Sequence, residues 1–459
     1  MVDRKKELFL NTVVIGIGSI FTKALSFILV PLLTIWLSTT EYGDYDLLFS
    51  YVSLCVPILT LQLEQAILRF TLENKEKGKE YFSTCFSFFL FTSLIFIIAF
   101  SFIFKFEYHF SFAICTVSYA FQILTTEYLR GNNELKLYSL ANIFCGGCMM
   151  SFSYLLVGQL KAGVNGLLYS FAISYFVTGL IIVLIKKPVG HLLKLSFDLE
   201  IFKMLLRYSF PLLPNAISWW ITNVSDRTLI NVFLGSEFNG IYAVSTKIPT
   251  LMTVFYSIFN LAWQQSAILS SSDSVEDKTY FYNTIFNKLY SFLFSSGILI
   301  IATTPFIYKF LLDDSYTSGM NIVSILVLST IFLNLGQYLG GILLGKMDTK
   351  TNGVTTILAA IVNLIINFLL INRLGLVAAA ISTLVSYILL FVLRIKKTND
   401  FLNVKRIIIK LIFSTFCYVV MSTIIFLSQN IIIQFILLIV SSLYFIYSNR
   451  AIIYNIVKN

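Results

Sequence analysis

The placement of basic residues constrains this chain more than any motif in it. Long apolar runs cut the sequence into fourteen segments of membrane-spanning length: 11–37, 46–68, 83–104, 110–129, 138–157, 165–185, 208–233, 241–269, 288–308, 320–344, 354–371, 375–394, 407–427 and 431–449. Of the 33 Lys and Arg, 26 fall on the two termini and on alternate connections between these segments, counting Lys288, Arg394 and Lys410 at the span ends with the connections they border. Four (Lys105, Lys161, Lys309, Arg373) fall on the other connections, and three (Lys23, Arg227, Lys247) lie inside the spans. Cytoplasmic loops of membrane proteins carry the Lys/Arg excess. The pattern therefore predicts an all-α polytopic membrane protein with 14 transmembrane helices and both termini inside. A missed or invented span would scramble the alternation.

Composition agrees with this reading: 57% of residues are hydrophobic and 12% charged, against roughly 25% charged in soluble domains. The net charge of +10 is what the positive-inside pattern leaves behind, so it calls for no nucleic-acid partner. The basic loops suit an anionic inner leaflet of membrane lipids. Residues 1–10 are polar and no small-residue cleavage site follows the first apolar run, so that run is expected to act as an uncleaved insertion signal. The six cysteines sit in apolar runs, and the Cys145/Cys148 pair beside Gly146 and Gly147 fits close helix packing better than redox or metal chemistry. His109 and His191 fall on opposite sides of the membrane, and no Walker motif is present. No metal, cofactor or catalytic constellation is expected, and the chain reads as no enzyme.

A weak internal repeat organises the spans. Leu37-Ser-Thr-Thr-Glu-Tyr-Gly43-Asp-Tyr45 follows span 1, and Leu234-Gly-Ser-Glu-Phe-Asn-Gly240-Ile-Tyr242 follows span 7. Gln62-Leu-Glu-Gln-Ala-Ile67 resembles Trp263-Gln-Gln-Ser-Ala-Ile268, and Val164-Asn-Gly-Leu167 resembles Arg373-Leu-Gly-Leu376. Six spans per copy means that both copies share one orientation, a parallel repeat. The expected organisation is an N-terminal six-helix lobe (1–185), a cytoplasmic linker helix (186–207), a second six-helix lobe (208–396) and an appended two-helix hairpin (397–459). In the linker, Phe197, Ile201, Leu205 and Tyr208 have the spacing of an interfacial helix.

Two parallel lobes imply a central cavity, and projection at about 100° per residue yields polar stripes to line it. Span 1 aligns Thr12, Ser19, Thr22, Lys23, Ser26 and Thr34. Span 7 aligns Asn215, Ser218, Trp219, Thr222, Asn223, Asp226 and Arg227. Span 2 aligns Ser50, Ser53, Pro57, Thr60 and Glu64; span 4 aligns Ser111, Ser118, Gln122, Thr125 and Thr126. Span 8 aligns Tyr242, Ser245, Pro249, Thr253, Tyr256 and Asn260, and span 10 carries Thr330, Asn334, Gln337 and Tyr338. Interhelical glue is the competing account of such hydroxyls and amides. A mid-membrane charge costs about 2.5–3.5 kcal/mol on insertion scales and marks a functional candidate. Lys23 sits deep and on its stripe. Arg227 lies at a stripe edge, and Lys247 is near enough to the surface to snorkel. Glu64 and Asp226 are candidate coupling-ion ligands or gate residues for H+ or Na+, while Glu127 is accounted for by its neighbour Arg130. The cations suit an anionic substrate such as a diphosphate, which Arg can grip bidentately.

These same residues carry a family resemblance. Thr22-Lys-Ala-Leu-Ser-Phe27, Pro31-Leu-Leu-Thr34, Glu41-Tyr-Gly-Asp-Tyr-Asp46 and Gln62-Leu-Glu-Gln-Ala-Ile-Leu-Arg-Phe70 form the first stretch. Arg207-Tyr-Ser-Phe-Pro-Leu-Leu-Pro214, Trp219-Trp220, Ser225-Asp-Arg-Thr228 and Gly240-Ile-Tyr-Ala243 to Lys247-Ile-Pro249 form the second. The chain resembles a Wzx-type oligosaccharide flippase of the polysaccharide transporter family, in the superfamily that also holds multidrug/toxin extruders and the lipid II flippase. The resemblance spans about residues 8–395 and is specific for the family, not for a sugar. It implies a multi-pass protein of the bacterial cytoplasmic membrane that moves an undecaprenyl-diphosphate-linked oligosaccharide, for capsule, O-antigen or another polymer, from the inner to the outer leaflet by alternating access. Polysaccharide polymerase and glycosyltransferases are its implied partners. By resemblance, Lys23, Arg69, Arg227 and Lys247 are the candidates for the diphosphate or acidic sugars, with Trp219, Asn223, Gln122, Asn334 and Gln337 as further substrate contacts from the stripes. An ion-coupled multidrug or organic-cation exporter, or a lipid II flippase, is the alternative.

Overall fold

In the computed structural model, the described residues are 25, 27–102, 107–186, 197–270, 274–428 and 430–450. Among them every regular element is a helix, with no strand. The helices are α1 (Phe27–Trp36), α2 (Thr39–Thr60), α3 (Leu63–Glu73), α4 (Gly78–Phe102), α5 (His109–Gly131), α6 (Leu135–Ser153), α7 (Gly163–Lys186), α8 (Leu199–Ser209), α9 (Leu213–Leu234) and α10 (Ser236–Leu269). They continue with α11 (Val275–Phe310), α12 (Met320–Gly345), α13 (Thr349–Leu374), α14 (Leu376–Lys397), α15 (Val404–Leu427) and α16 (Ile431–Ser448). Nine of the described helices are long and apolar enough to cross a membrane, or ten if the bent pair α2–α3 counts as one span. Helices are the form such segments must take, since hydrocarbon leaves no water to satisfy the backbone. At 1.5 Å per residue, even the 18-residue α16 reaches roughly 27 Å.

The chain forms two compact units, residues 1–228 and 229–459. In the first, α5 is the central helix. Its buried face runs from Ser111 to Gly131 and packs against α2, α3, α4, α6 and α7. Helix α8 packs on α3 and α4 through the fully buried Leu205, and Phe202 lies 4.8 Å from Phe88, ring to ring. Of the linker face read from the sequence, Leu205 and Tyr208 pack on the unit, the Tyr208 ring 5.7 Å from Phe70, while Phe197 is exposed. In the second unit, α12 is the most buried helix, held between α10 and α14. Helices α15 and α16 lie against α11: Tyr290 donates to the Lys410 carbonyl at 2.9 Å, and Asn449 Nδ2 donates to Ser295 Oγ at 2.8 Å. The rest of their surface is exposed aliphatic and aromatic side chain, the composition of a face that meets lipid.

Local signals explain the helix boundaries. The repeat motif is a helix start. Ser38 caps α2 by accepting from the Glu41 N–H at 3.2 Å, while Glu41 Oε2 accepts from the Ser38 N–H at 2.9 Å, a reciprocal capping box. The second copy begins α10 after Gly235. The later repeat correspondence shifts by three residues. Gly375, at φ +56, turns the chain from α13 into α14, and its conformational counterpart is Gly163 at φ +55, where α7 begins. Gly166, the counterpart read from sequence, is interior to α7. One expected span is not continuous: residues 46–68 break at Leu61 and Gln62, and the two pieces meet at 56°.

Candidate functional site

In the first unit, α9 is fastened antiparallel to α2. Arg227 Nε donates to Asp46 Oδ2 at 2.6 Å, with side-chain exposures of 20% and 8%. About two turns along, Trp220 Nε1 donates to the Ser50 carbonyl at 2.7 Å. The rings of Tyr51 and Trp220 lie 5.6 Å apart, and the Tyr51 and Thr228 hydroxyls are 3.5 Å apart. Arg227 is therefore engaged by a carboxylate within a polar seam between two helices. Sequence reading missed Asp46, because a charge on the first residue of a span passes for an interfacial one. The signal was its place directly after the Gly-x-Tyr motif, where the second copy has Ala243.

Glu64 occupies a second special position. Pro57 has no N–H to continue the α2 ladder, and the helix ends with Leu61 and Gln62 both in the left-handed region, at φ 50 and 59. Two adjacent non-glycine residues there cost about 1–2 kcal/mol each. Gln62 N–H caps back to the Pro57 carbonyl at 3.2 Å. Glu64 then lies in the first turn of α3, 4% exposed, with Oε2 buried and without a hydrogen-bond partner. The carboxyl meets the Thr60 hydroxyl, which donates to the Val56 carbonyl at 3.0 Å. Facing it from α5 is Glu127, both of whose oxygens lie 2.8 Å from Arg130 Nη1, as the sequence reading assigned. Glu64 has no such cation among its described partners.

The remaining candidates distribute unevenly. Arg69 is exposed near the end of α3, paired with Glu73 at 3.2 Å and seated 4.8 Å over the Tyr208 ring. Gln122 is buried and donates to Asn142 on α6 at 3.3 Å. The rest of its stripe turns inward as well: Ser111 donates to Asn165 on α7 at 2.6 Å, and Thr125 and Thr126 bond back to the Gln122 carbonyl. The α5 stripe thus joins helices inside the unit. Asp226 is half-buried and engaged. Lys23 lies outside the described residues, as do the side chains of Trp219 and Asn223.

In the second unit, Lys247 is half-buried and engaged, and Gln337 is half-buried. Asn334 on α12 is 1% exposed, and neither its amide nitrogen nor its amide oxygen has a hydrogen-bond partner. Such a group costs about 1–3 kcal/mol, so it is a polar contact held open. The α10 stripe is mostly interior: Ser245 bonds the Tyr308 hydroxyl at 2.8 Å and accepts no water-facing role. The structure also relocates Arg394. Read as a loop cation, it is instead 5% exposed within α14. Its guanidinium donates to the Gly336 carbonyl (2.9 Å), the Asn352 carbonyl (3.1 Å) and the hydroxyls of Thr355 (3.1 Å) and Thr356 (3.0 Å). Among the described residues no carboxylate pairs with it, and no cluster of His, Cys, Asp or Glu suits a metal ion.

Known proteins bear on this arrangement. The chain is 24% identical over 307 residues to the uncharacterized membrane protein MJ1375 of Methanocaldococcus jannaschii, covering 62% of this chain and 71% of that one. Its fold is similar to that of the lipid II flippase MurJ in an inward closed conformation, at a TM-score of 0.70 and 15% identity, over 96% of this chain and 100% of that one. It is also similar to a multidrug resistance MATE family transporter in an inward-facing conformation, at a TM-score of 0.61 and 16% identity, over 84% and 95%. These structural matches show the fold shared by MurJ and MATE. Residues 8–264, more than half of the sequence, match the family described as polysaccharide biosynthesis protein, and the chain belongs to that family.

Proposed function

We propose that this protein is a flippase for a lipid-linked oligosaccharide. It carries undecaprenyl-diphosphate-linked repeat units, for capsule, O-antigen or another surface polymer, from the inner to the outer leaflet of a bacterial cytoplasmic membrane. The reading retains fourteen spans, both termini inside, two six-helix lobes and alternating access. The observation that carries it is a polysaccharide-biosynthesis family match on a chain whose fold is shared, over 96% of its length, with a flippase of another lipid-linked sugar. In the first unit Arg227 and Lys23, and in the second unit Lys247, are assigned as cations for the diphosphate. In the second unit Asn334, with both amide atoms open, is assigned as a donor and acceptor for sugar hydroxyls together with Gln337; in the first unit Asn223 and Trp219 are assigned as sugar contacts.

Coupling is assigned to Glu64. The single proton of Thr60 is used on the Val56 carbonyl, so toward Glu64 this hydroxyl acts as an acceptor. A proton on Glu64 completes that bond, and a buried carboxyl with no cation among the described residues is cheaper to hold when neutral. H+ is accordingly preferred to Na+ as the coupling ion.

Deletion of the gene should leave complete lipid-linked repeat units facing the cytoplasm. Single units exposed outside would indicate a polymerase defect and overturn the reading. In reconstituted vesicles, transport should fall when the proton gradient is collapsed, and unchanged transport with both proton and sodium gradients gone would remove Glu64 from coupling. The MATE-like fold keeps an organic-cation exporter as the second reading; uptake of a fluorescent organic cation with no effect on lipid-linked sugars would favour it.

A further inference from the structure

Arg227 does two things that compete. It is a candidate cation for the substrate diphosphate, and in the structure it is already engaged by Asp46 at 2.6 Å. A guanidinium has five donors, but its strongest arrangement is a bidentate one with a single anion. Asp46 lies on α2 and Arg227 on α9, so the pair is also the ionic element of the seam that joins these helices. We propose that the diphosphate displaces Asp46 from Arg227, so that substrate arrival opens the α2–α9 seam. The proposal rests on the flippase reading and adds the regulation of its anion site.

The physical logic is one of exchange. With substrate absent, Arg227 is neutralised by Asp46 and the seam is closed. A diphosphate carries more charge and more acceptor oxygens than a carboxylate, and its arrival leaves Asp46 without its cation. Asp46, only 8% exposed, then sits beside an anion and must move toward water, which carries α2 away from α9. The aromatic contact between Tyr51 and Trp220 and the Trp220–Ser50 bond are weaker and separate once the ion pair has gone. No bond is made or broken covalently. The device ties opening to the presence of the anion, since a neutral lipid cannot pull Arg227 from Asp46.

The sign of two substitutions separates this exchange from a purely structural ion pair. The full-length protein is placed in lipid nanodiscs, and its binding of undecaprenyl diphosphate is measured. Asp46→Asn removes the competitor and should tighten binding about tenfold, equivalent to a coupling of about 1.4 kcal/mol. Arg227→Gln should weaken binding by about that factor or more. Undecaprenol, without phosphate, should be bound alike by all three proteins. If Asp46→Asn leaves the affinity unchanged or lowers it, as loss of a structural pair would, the exchange is refuted while the flippase reading stands. A wild-type protein with no affinity for undecaprenyl diphosphate overturns both. A second measurement needs no variant: a hydrophobic carbodiimide should modify Asp46 of the wild-type protein faster when undecaprenyl diphosphate is bound. An unchanged or slower rate overturns the exchange.

Discussion

Arg394→Lys should destabilise the second unit more than Arg394→Met does, although lysine keeps the charge. The guanidinium spreads four hydrogen bonds over Gly336 on α12 and Asn352, Thr355 and Thr356 on α13. An ammonium is a single point and cannot span acceptors on two helices. Losing two of these bonds from a charged donor costs about 3–6 kcal/mol. The loss has a ceiling, because lysine can shed its proton: from a reference pKa near 10.4 to pH 7 that release costs about 4.6 kcal/mol. The lysine variant should therefore lose about 3–4.5 kcal/mol. Methionine has similar reach and removes the charge along with its desolvation cost. It strands little: Gly336 and Asn352 lie within helices that already use their carbonyls, and the Thr355 and Thr356 hydroxyls have the Thr351 and Asn352 carbonyls at 2.8 and 3.0 Å. Replacing a buried ion by a well-packed apolar group is often nearly neutral, so a loss of about 0–2 kcal/mol is expected. The gap of about 2 kcal/mol corresponds to roughly 4–8 °C in midpoint for a unit of this size. Thermal unfolding of the purified protein in nanodiscs, followed by helical circular dichroism, reads it directly. A lysine variant as stable as the methionine variant would refute the fork-geometry argument.

Further outcomes follow from particular contacts. A Cβ on Gly340 would sit 2.7 Å from Arg394 Nη1 and 3.0 Å from Asn352 Oδ1, so Gly340→Ala should cost about 1–3 kcal/mol; in the Arg394→Met background the cost should fall by about 1 kcal/mol or more in a double-mutant cycle. Asn334→Leu should leave stability unchanged or raise it by about 1–3 kcal/mol, since both amide atoms are buried without partners, while flipping is lost; a less stable variant with full transport would contradict the assignment. Gly375→Ala should cost about 1–3 kcal/mol, because φ 56 with ψ −135 suits glycine alone, read as a lower unfolding midpoint. The Thr351 N–H and side chain hold the Asp348 carboxyl below its ordinary range. A depressed carboxyl contributes above its unfolded pKa of about 3.9, so the cap of α13 is intact at neutral pH and lost as pH falls below that value. Protection of the Thr351 N–H against hydrogen exchange, taken relative to the intrinsic rate at each pH, should fall on such acidification.

Much of the helical framework was legible in the residues. Helices α4 to α7 and α9 to α16 lie where apolar runs stand in the sequence, because burial of backbone in hydrocarbon leaves a long apolar segment one solution. The Ser38–Glu41 start of α2 was visible as half of a repeat. Other features were not. Nothing in Leu61-Gln62 marks a break, since neither residue is a turn former; the break follows from Pro57 upstream and the burial of Glu64 downstream. Arg394 passed for a loop cation because it sits at the end of its apolar run, and packing by α12 and α13 put it inside. The α5 stripe of Ser111, Gln122, Thr125 and Thr126 was polar and aligned, which the helical period reveals. Whether it met water or Asn142 and Asn165 was a matter of which helix lay opposite.

By itself, then, the sequence determined that the chain is an all-helical, multi-pass membrane protein and the family to which it belongs. Those properties depend on transfer free energies and spacings read along one dimension. Only the tertiary structure decided that Asp46 reaches Arg227 across 181 positions, that Glu64 lies at a bend with no cation among the described residues, and that Arg394 ties three helices. Each of these depends on which helices are neighbours, and a charge finds its partner through space at distances of about 3 Å, for which order along the chain carries no information.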